Sequence, residues 1–221
     1  MRYLGTVLLL VLSLGVYAEE KNTSQNYFSK YIEGVDYQRL DSPVNTITKD
    51  KIEVTEAFSY LCGHCYNFEP LIIKWHQSIA KDVELVKLPV VFQPSMEHYA
   101  RIMYTAQALN ILDEASAVVF KAIHIDKQRL ISASKVSALF EPLGISAEKF
   151  SSTFNSFGVD SQVRKASART RAMKIASTPQ MVVDGRFSVS ATREFGHEGM
   201  LKVVDFLVAK VRAERSFAQS K

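Results

Sequence analysis

The chain has 221 residues, 47% of them hydrophobic, a formal net charge of +4 and only two cysteines. That length suits one domain with a full core, or one domain carrying an insertion, and the charge excess is too small to mark a nucleic-acid-binding surface. Two cysteines are also too few for a disulfide-stapled scaffold, which uses several pairs to close long loops.

Residues 1–18, MRYLGTVLLLVLSLGVYA, set Arg2 ahead of an uncharged apolar run ending on the small-residue pattern Val16-Tyr17-Ala18. This is the form of a secretory signal peptide, with cleavage expected after Ala18. The run falls short of the roughly 20 apolar residues of a membrane span. Every later stretch is interrupted by Glu, Lys or Arg, so the mature chain is expected to be soluble and exported. Loss of Arg2 lowers the charge from +4 to +3.

From Lys51, I-E-V-T-E-A-F-S is rich in β-branched and aromatic residues, and D-V-E-L-V-K-L-P-V-V-F from Asp82 is similar; both read as strands. Between them Phe68, Leu71, Ile72, Trp75 and Ile79 recur at helical spacing, which makes a βαβ unit. From Ser95 to about Ile175 the pattern is wholly helical. Helices are predicted from a Ser95 N-cap to Leu109, from Asp113 to Ile125, from Ser132 to a stop at Gly144, after a Ser146 cap, and from Val159 to Ile175. The basic residues Arg164, Lys165, Arg169, Arg171 and Lys174 lie on the last of these and read as a solvated helix face. The β pattern resumes at T-P-Q-M-V-V-D-G-R-F-S-V, with Asp184-Gly185 as a hairpin turn. An amphipathic helix from Gly199 to about Arg212 closes the chain, followed by a frayed tail beyond Arg215.

The two cysteines sit in F-S-Y-L-C-G-H-C-Y-N-F-E-P, where the first strand gives way to the helix. A helix start offers unpaired N–H groups and the positive end of the helix dipole, which favour an anionic sulfur at Cys62. Cys65 lies one turn along, within bridging distance and further inside. His64 between them is placed to donate to the Cys62 sulfur or to carry positive charge beside it, and Gly63 leaves the turn unobstructed. Stabilising the thiolate favours the dithiol and makes the disulfide more oxidising, by about 30 mV for each 1.4 kcal/mol. A structural bridge between residues three apart closes almost no loop. Zinc needs about four ligands, and the other histidines, His76, His98, His124 and His197, are scattered, so no metal site is expected.

With the leader, C-G-H-C at a strand-to-helix junction, the helical block and the later Thr178-Pro179, the chain resembles the DsbA family of periplasmic thiol:disulfide oxidoreductases over essentially the whole mature length. The resemblance implies an α/β fold, a thioredoxin domain over residues 19–221 with an all-helical subdomain inserted at about 95–175. It makes Cys62 and Cys65 the redox pair, with His64 between them. It implies that Pro179 is the family's cis-proline, beside the cysteines and near a bound peptide. It also implies that Glu56 and Lys87, charges within strands that should be buried on both faces, are the acidic and basic residues beneath the site that tune the cysteines or relay protons. Pro70, inside the helix, matches a proline that thioredoxin-like proteins carry there.

Two departures widen the expected activity. Many DsbA proteins have proline at the place of Gly63, and C-G-H-C is the pattern of eukaryotic protein disulfide isomerases. Thr178 stands where the oxidases often have valine, and its hydroxyl is able to bond a sulfur or the bound peptide. The expected function is donation of the Cys62–Cys65 disulfide to reduced, newly exported proteins in the periplasm, by a monomer without a bound cofactor. Reoxidation is expected from a DsbB-type membrane oxidoreductase linked to quinone. The alternatives are a disulfide isomerase or reductase, and a non-redox peptide-binding chaperone with vestigial cysteines.

Overall fold

The computed structural model describes residues 30–48 and 50–219; the expected leader and its cleavage point lie outside them. Five strands, β1 Gln38–Arg39, β2 Ile52–Phe58, β3 Val83–Pro89, β4 Gln180–Val183 and β5 Phe187–Ser190, form one sheet in the order β1-β5-β4-β2-β3. β2 runs parallel to β3 and antiparallel to β4. Helix α1 (Gly63–Ser78) connects β2 to β3 and runs without interruption through Pro70. Five helices then separate β3 from β4: α2 Glu97–Ala108, α3 Leu112–His124, α4 Ala133–Phe140, α5 Ala147–Phe154 and α6 Phe157–Ala172. This is a thioredoxin fold with an inserted helical subdomain. None of the described helices is long and apolar enough to cross a membrane.

Every residue of β2 is buried, because helices cover both faces of the sheet. The two-residue period then sorts its side chains. Val54 faces a core made with Phe68, Ile72 and Trp75 of α1 and with Val204 and Leu207 of the last helix, α7 (Gly196–Gln219). Ala57 faces the other way, packing with Leu88, Val182, Ala166 and Met173. A further core fills the insertion, joining Ile102, Met103, Val119 and Phe120 to Phe58, Tyr60 and Cys65. The insertion therefore reaches beneath the cysteine pair.

Three local expectations change. The first insertion helix begins after a 3-10 turn, Pro94–Met96, and its cap is Met96 rather than Ser95. The last helix runs on to Gln219 rather than fraying, because Arg212 pairs with Asp82, Arg215 with Asp184, and Glu214 with Arg186. Arg169 does not belong to a solvated face. Only 15% of its side chain is exposed, and it bonds the fully buried Glu53 carboxylate at 2.6 Å.

The Asp184-Gly185 turn closes the β4–β5 hairpin. Both residues have positive φ, 55° and 60°, and the Arg186 N–H donates to the Val183 carbonyl at 3.0 Å. Such a turn matches the right-handed twist of the strands it joins.

Candidate active site

Cys62 is the N-cap residue of α1, with φ −90° and ψ 115°. Its sulfur accepts from the Cys65 N–H at 3.4 Å and donates to the Thr178 carbonyl at 3.3 Å. The preceding turn is pinned by Ser59, whose carbonyl accepts from the Cys62 N–H at 3.0 Å and whose hydroxyl accepts from the Leu61 N–H at 3.2 Å. Cys62 is partly exposed, whereas Cys65 has no exposed surface. Burial pushes the Cys65 thiol well above the ordinary thiol range, and contact with the Cys62 sulfur acts in the same direction. The Ser59 backbone, and after it the Thr178 side chain, oppose the shift by favouring the Cys65 thiolate.

The Thr178–Pro179 peptide bond is cis and lies just before β4, whose Gln180 pairs with Ala57 of β2. This pairing carries residues 178 and 179 to the cysteines. His64 is exposed, and its ring centroid lies 6.2 Å from that of His197 on α7. His197 packs against Phe68 at 5.1 Å; burial, and then the charge of His64, holds it below the ordinary histidine range. His64, Thr178, Pro179 and His197 border an open cavity of about 410 Å³. A Cβ added at Gly63 meets nothing within 4 Å, so glycine is not required there for space.

Glu56 and Lys87 are directly opposed in the β2–β3 register. The Lys87 ammonium lies 3.2 Å from Glu56 and 2.7 Å from Glu69 of α1. Its hydrogen bonds go to both carboxylate oxygens of Glu69, and the Glu56 oxygens are left with charge contact but no hydrogen-bond partner. Burial, reinforced by Glu69 and opposed by Lys87, raises the Glu56 carboxyl above the ordinary range. At Lys87 burial works to lower the ammonium's value, but the two carboxylates outweigh it and the net shift is upward. The Phe58 ring, 5.1 Å from the ammonium, belongs to the same apolar cluster as Cys65.

The insertion grips the turn ahead of Cys62 at two points. The Tyr60 hydroxyl bonds the Ser116 hydroxyl at 2.9 Å, and the His124 Nε2–H donates to the Tyr60 carbonyl at 2.8 Å. The His124 ring also stacks on Tyr66, with centroids 5.2 Å apart. Among the described residues no group of three or more His, Cys, Asp or Glu is placed to hold a metal ion.

A family model described as a DSBA-like thioredoxin domain matches residues 53–202. The chain belongs to this family. It is 34% identical over 183 residues to the thiol:disulfide interchange protein DsbA of Pseudomonas aeruginosa, covering 83% of this chain and 87% of the relative. The DsbA of Bordetella parapertussis is 36% identical over 177 residues, covering 80% and 84% of the two chains. The crystal structure of Pseudomonas aeruginosa DsbA superposes with a TM-score of 0.81 at 34% identity, covering 85% of this chain and 98% of that one. An oxidoreductase DsbA from Xylella fastidiosa superposes at 0.78 with 28% identity, covering 83% and 98%.

Of the DsbA-like site, sequence reading names Cys62, Gly63, His64, Cys65, Thr178, Pro179, Glu56 and Lys87. The fold gathers the first six where α1 starts and β4 is entered, with Cys65 buried among them, and sets the ion pair within the sheet. Glu69, Ser116, His124 and His197 are additional. Glu69 lies one helical turn beyond Cys65, so a charge within that apolar helix face is the signal that marks it; the other three depend on long-range packing.

Proposed function

We propose that this chain, a thiol:disulfide oxidoreductase, works in the periplasm as a disulfide donor for newly exported proteins. A client thiolate attacks the Cys62 sulfur of the Cys62–Cys65 disulfide, the S–S bond breaks, and Cys65 leaves with its electron pair and takes up a proton. A second client thiolate attacks the client sulfur of the mixed disulfide and releases Cys62. The client loses two electrons and gains a disulfide; the enzyme ends as a dithiol.

The observation that carries this reading is the contrast in access. Cys62 is partly exposed beside an open cavity, while Cys65 is fully buried one turn inside, so an incoming thiolate reaches only Cys62. The cis Thr178–Pro179 segment, whose carbonyl already engages Cys62, supports a role in seating the client backbone. His64 serves the Cys62 sulfur as donor or neighbouring positive charge. Glu56, with its raised carboxyl and no hydrogen-bond partner, and Lys87 tune the pair from beneath or exchange protons with it. Gly63 leaves the rim open to the client.

The proposal takes residues 19–221 as one DsbA-like unit, acting as a monomer after loss of a leader ending near Ala18, with residues 95–175 as the insertion. Its reoxidant is a DsbB-type membrane partner that passes the two electrons to quinone. The test combines equilibration with glutathione and trapping with Cys65→Ser. An oxidising potential, with clients held on Cys62 by the variant, supports disulfide donation. A strongly reducing potential with efficient refolding of a scrambled protein assigns the chain instead to isomerase or reductase chemistry, which a threonine at position 178, beside the cysteines, favours. Full biological activity after Cys62→Ser assigns it to a non-redox chaperone. In the cell, a protein oxidised with the membrane partner and reduced without it identifies the reoxidant.

A further inference from the structure

The cavity beside Cys62 is lined by Ser177, Thr178, Ser190 and Thr192, by the imidazoles His64 and His197, and by one permanent cation, Arg193, with no large aliphatic side chain and no carboxylate among its described lining residues. Arg193 is exposed, and it makes no hydrogen bond or ion pair among the described residues, although Glu194 adjoins it in sequence. Every other described arginine except Arg129 and Arg171 ends on a carboxylate. The remaining carboxylates near this end of the molecule, Glu194 and Glu198, are exposed and do not line the cavity. Glu56 and Glu69 are committed to Lys87. The cavity therefore holds a permanently charged cation with no partner of its own, and shares a wall with Thr178, whose carbonyl touches the attacked sulfur.

We propose that Arg193 selects an acidic side chain in the client segment flanking the reacting cysteine, where that segment crosses the cavity beside the cis Thr178–Pro179 bond. The inference rests on the disulfide-donor reading and adds to it a charge preference in the client. Hydroxyls hydrogen-bond a passing backbone without regard to sequence, so discrimination falls to the one permanent charge, Arg193. An exposed ion pair of this kind contributes modestly, about two- to fivefold in rate, and is screened by salt. Leu61, just before Cys62 and 47% exposed, is the rival selector and predicts a preference for an apolar neighbour instead.

Three dithiol peptides, identical except for Asp, Leu or Lys next to the reacting cysteine, test this by stopped-flow oxidation with the full chain in its Cys62–Cys65 disulfide form. Each rate is divided by that of the same peptide with neutral hydroxyethyl disulfide, which removes the effect of the neighbour on the peptide thiol. The Asp peptide is expected to react about two to five times faster than the Lys peptide at low salt. The ratio should fall towards one at about 1 M salt, where the screening length is ~3 Å, and should invert in Arg193→Glu. Equal rates, a Leu preference, or a ratio unmoved by Arg193→Glu overturns the charge preference while leaving disulfide donation intact. Failure to oxidise any of the peptides overturns both.

Discussion

The Cys62 thiol and the Thr178 carbonyl, 116 positions apart in the chain, meet at 3.3 Å. They meet because β2 and β4 are antiparallel and paired through Ala57 and Gln180, so the segment leaving one strand lies beside the segment entering the other.

The difference in access between the two sulfurs fixes the alkylation pattern of the reduced protein. Iodoacetamide should modify Cys62 and spare Cys65, by on the order of a hundredfold or more in rate, since Cys65 reacts only through local opening. Peptide mapping by mass spectrometry reads the ratio, and equal labelling in the folded state would contradict the burial of Cys65.

Glu56 gives the protein a pH-dependent cost. At acid pH both folded and unfolded chains hold the proton. As pH rises through the ordinary glutamate range the unfolded chain releases it first, because burial raises the folded carboxyl, and stability falls until the folded group also ionises. Glu56→Gln should therefore stabilise by about 1–3 kcal/mol at pH 7, with the gain vanishing towards pH 3. Urea unfolding across that range checks the slope.

Glu53 and Arg169 tie the opposite face of β2 to α6. Glu53 also accepts from the Thr55 hydroxyl at 2.8 Å and from the Ile47 N–H at 2.7 Å. Arg169→Leu strands a buried carboxylate and should cost about 3–5 kcal/mol, whereas adding Glu53→Gln should recover more than half of that. A double-mutant cycle from denaturant midpoints measures the coupling.

A Cβ on Gly185 would stand 1.9 Å from the Val44 carbonyl oxygen, in a residue whose φ is already 60°. Gly185→Ala should cost more than about 2 kcal/mol, combining left-handed strain with displacement of Val44. Gly34→Ala, at φ 89° with open space around it, carries only the first contribution, about 1 kcal/mol. Thermal unfolding of the two variants separates the contributions.

Local patterns made much of this molecule legible. Strand, helix and strand around C-G-H-C, the helical block and the D-G hairpin each follow from periodicity or turn chemistry within a few residues. Thr178-Pro179 and the Glu56 and Lys87 pair became readable through family likeness, since nothing local says that β2 and β3 align residue 56 with residue 87. Glu69 as a third member, and Arg169 as the partner of Glu53, were not legible. A basic residue on a polar helix looks the same from sequence whether it meets water or a buried carboxylate on another element. The extension of α7 escaped for a similar reason, because three ion pairs to distant segments hold a stretch whose own composition is polar.

The Phe58–Pro89 pair and the Ala57–Gln180 pair are adjacent rows at the end of the sheet. The insertion thus departs and returns at the root of the turn that carries the cysteines. It is anchored to β2 by α6, through the Arg169–Glu53 pair and the packing of Ala166 with Ala57, and it meets the turn ahead of Cys62 through the Tyr60 contacts with Ser116 and His124 and the packing around them. A load on α3 therefore reaches the short turn that positions Cys62 through those contacts, while α6 holds the other side of the insertion to the sheet.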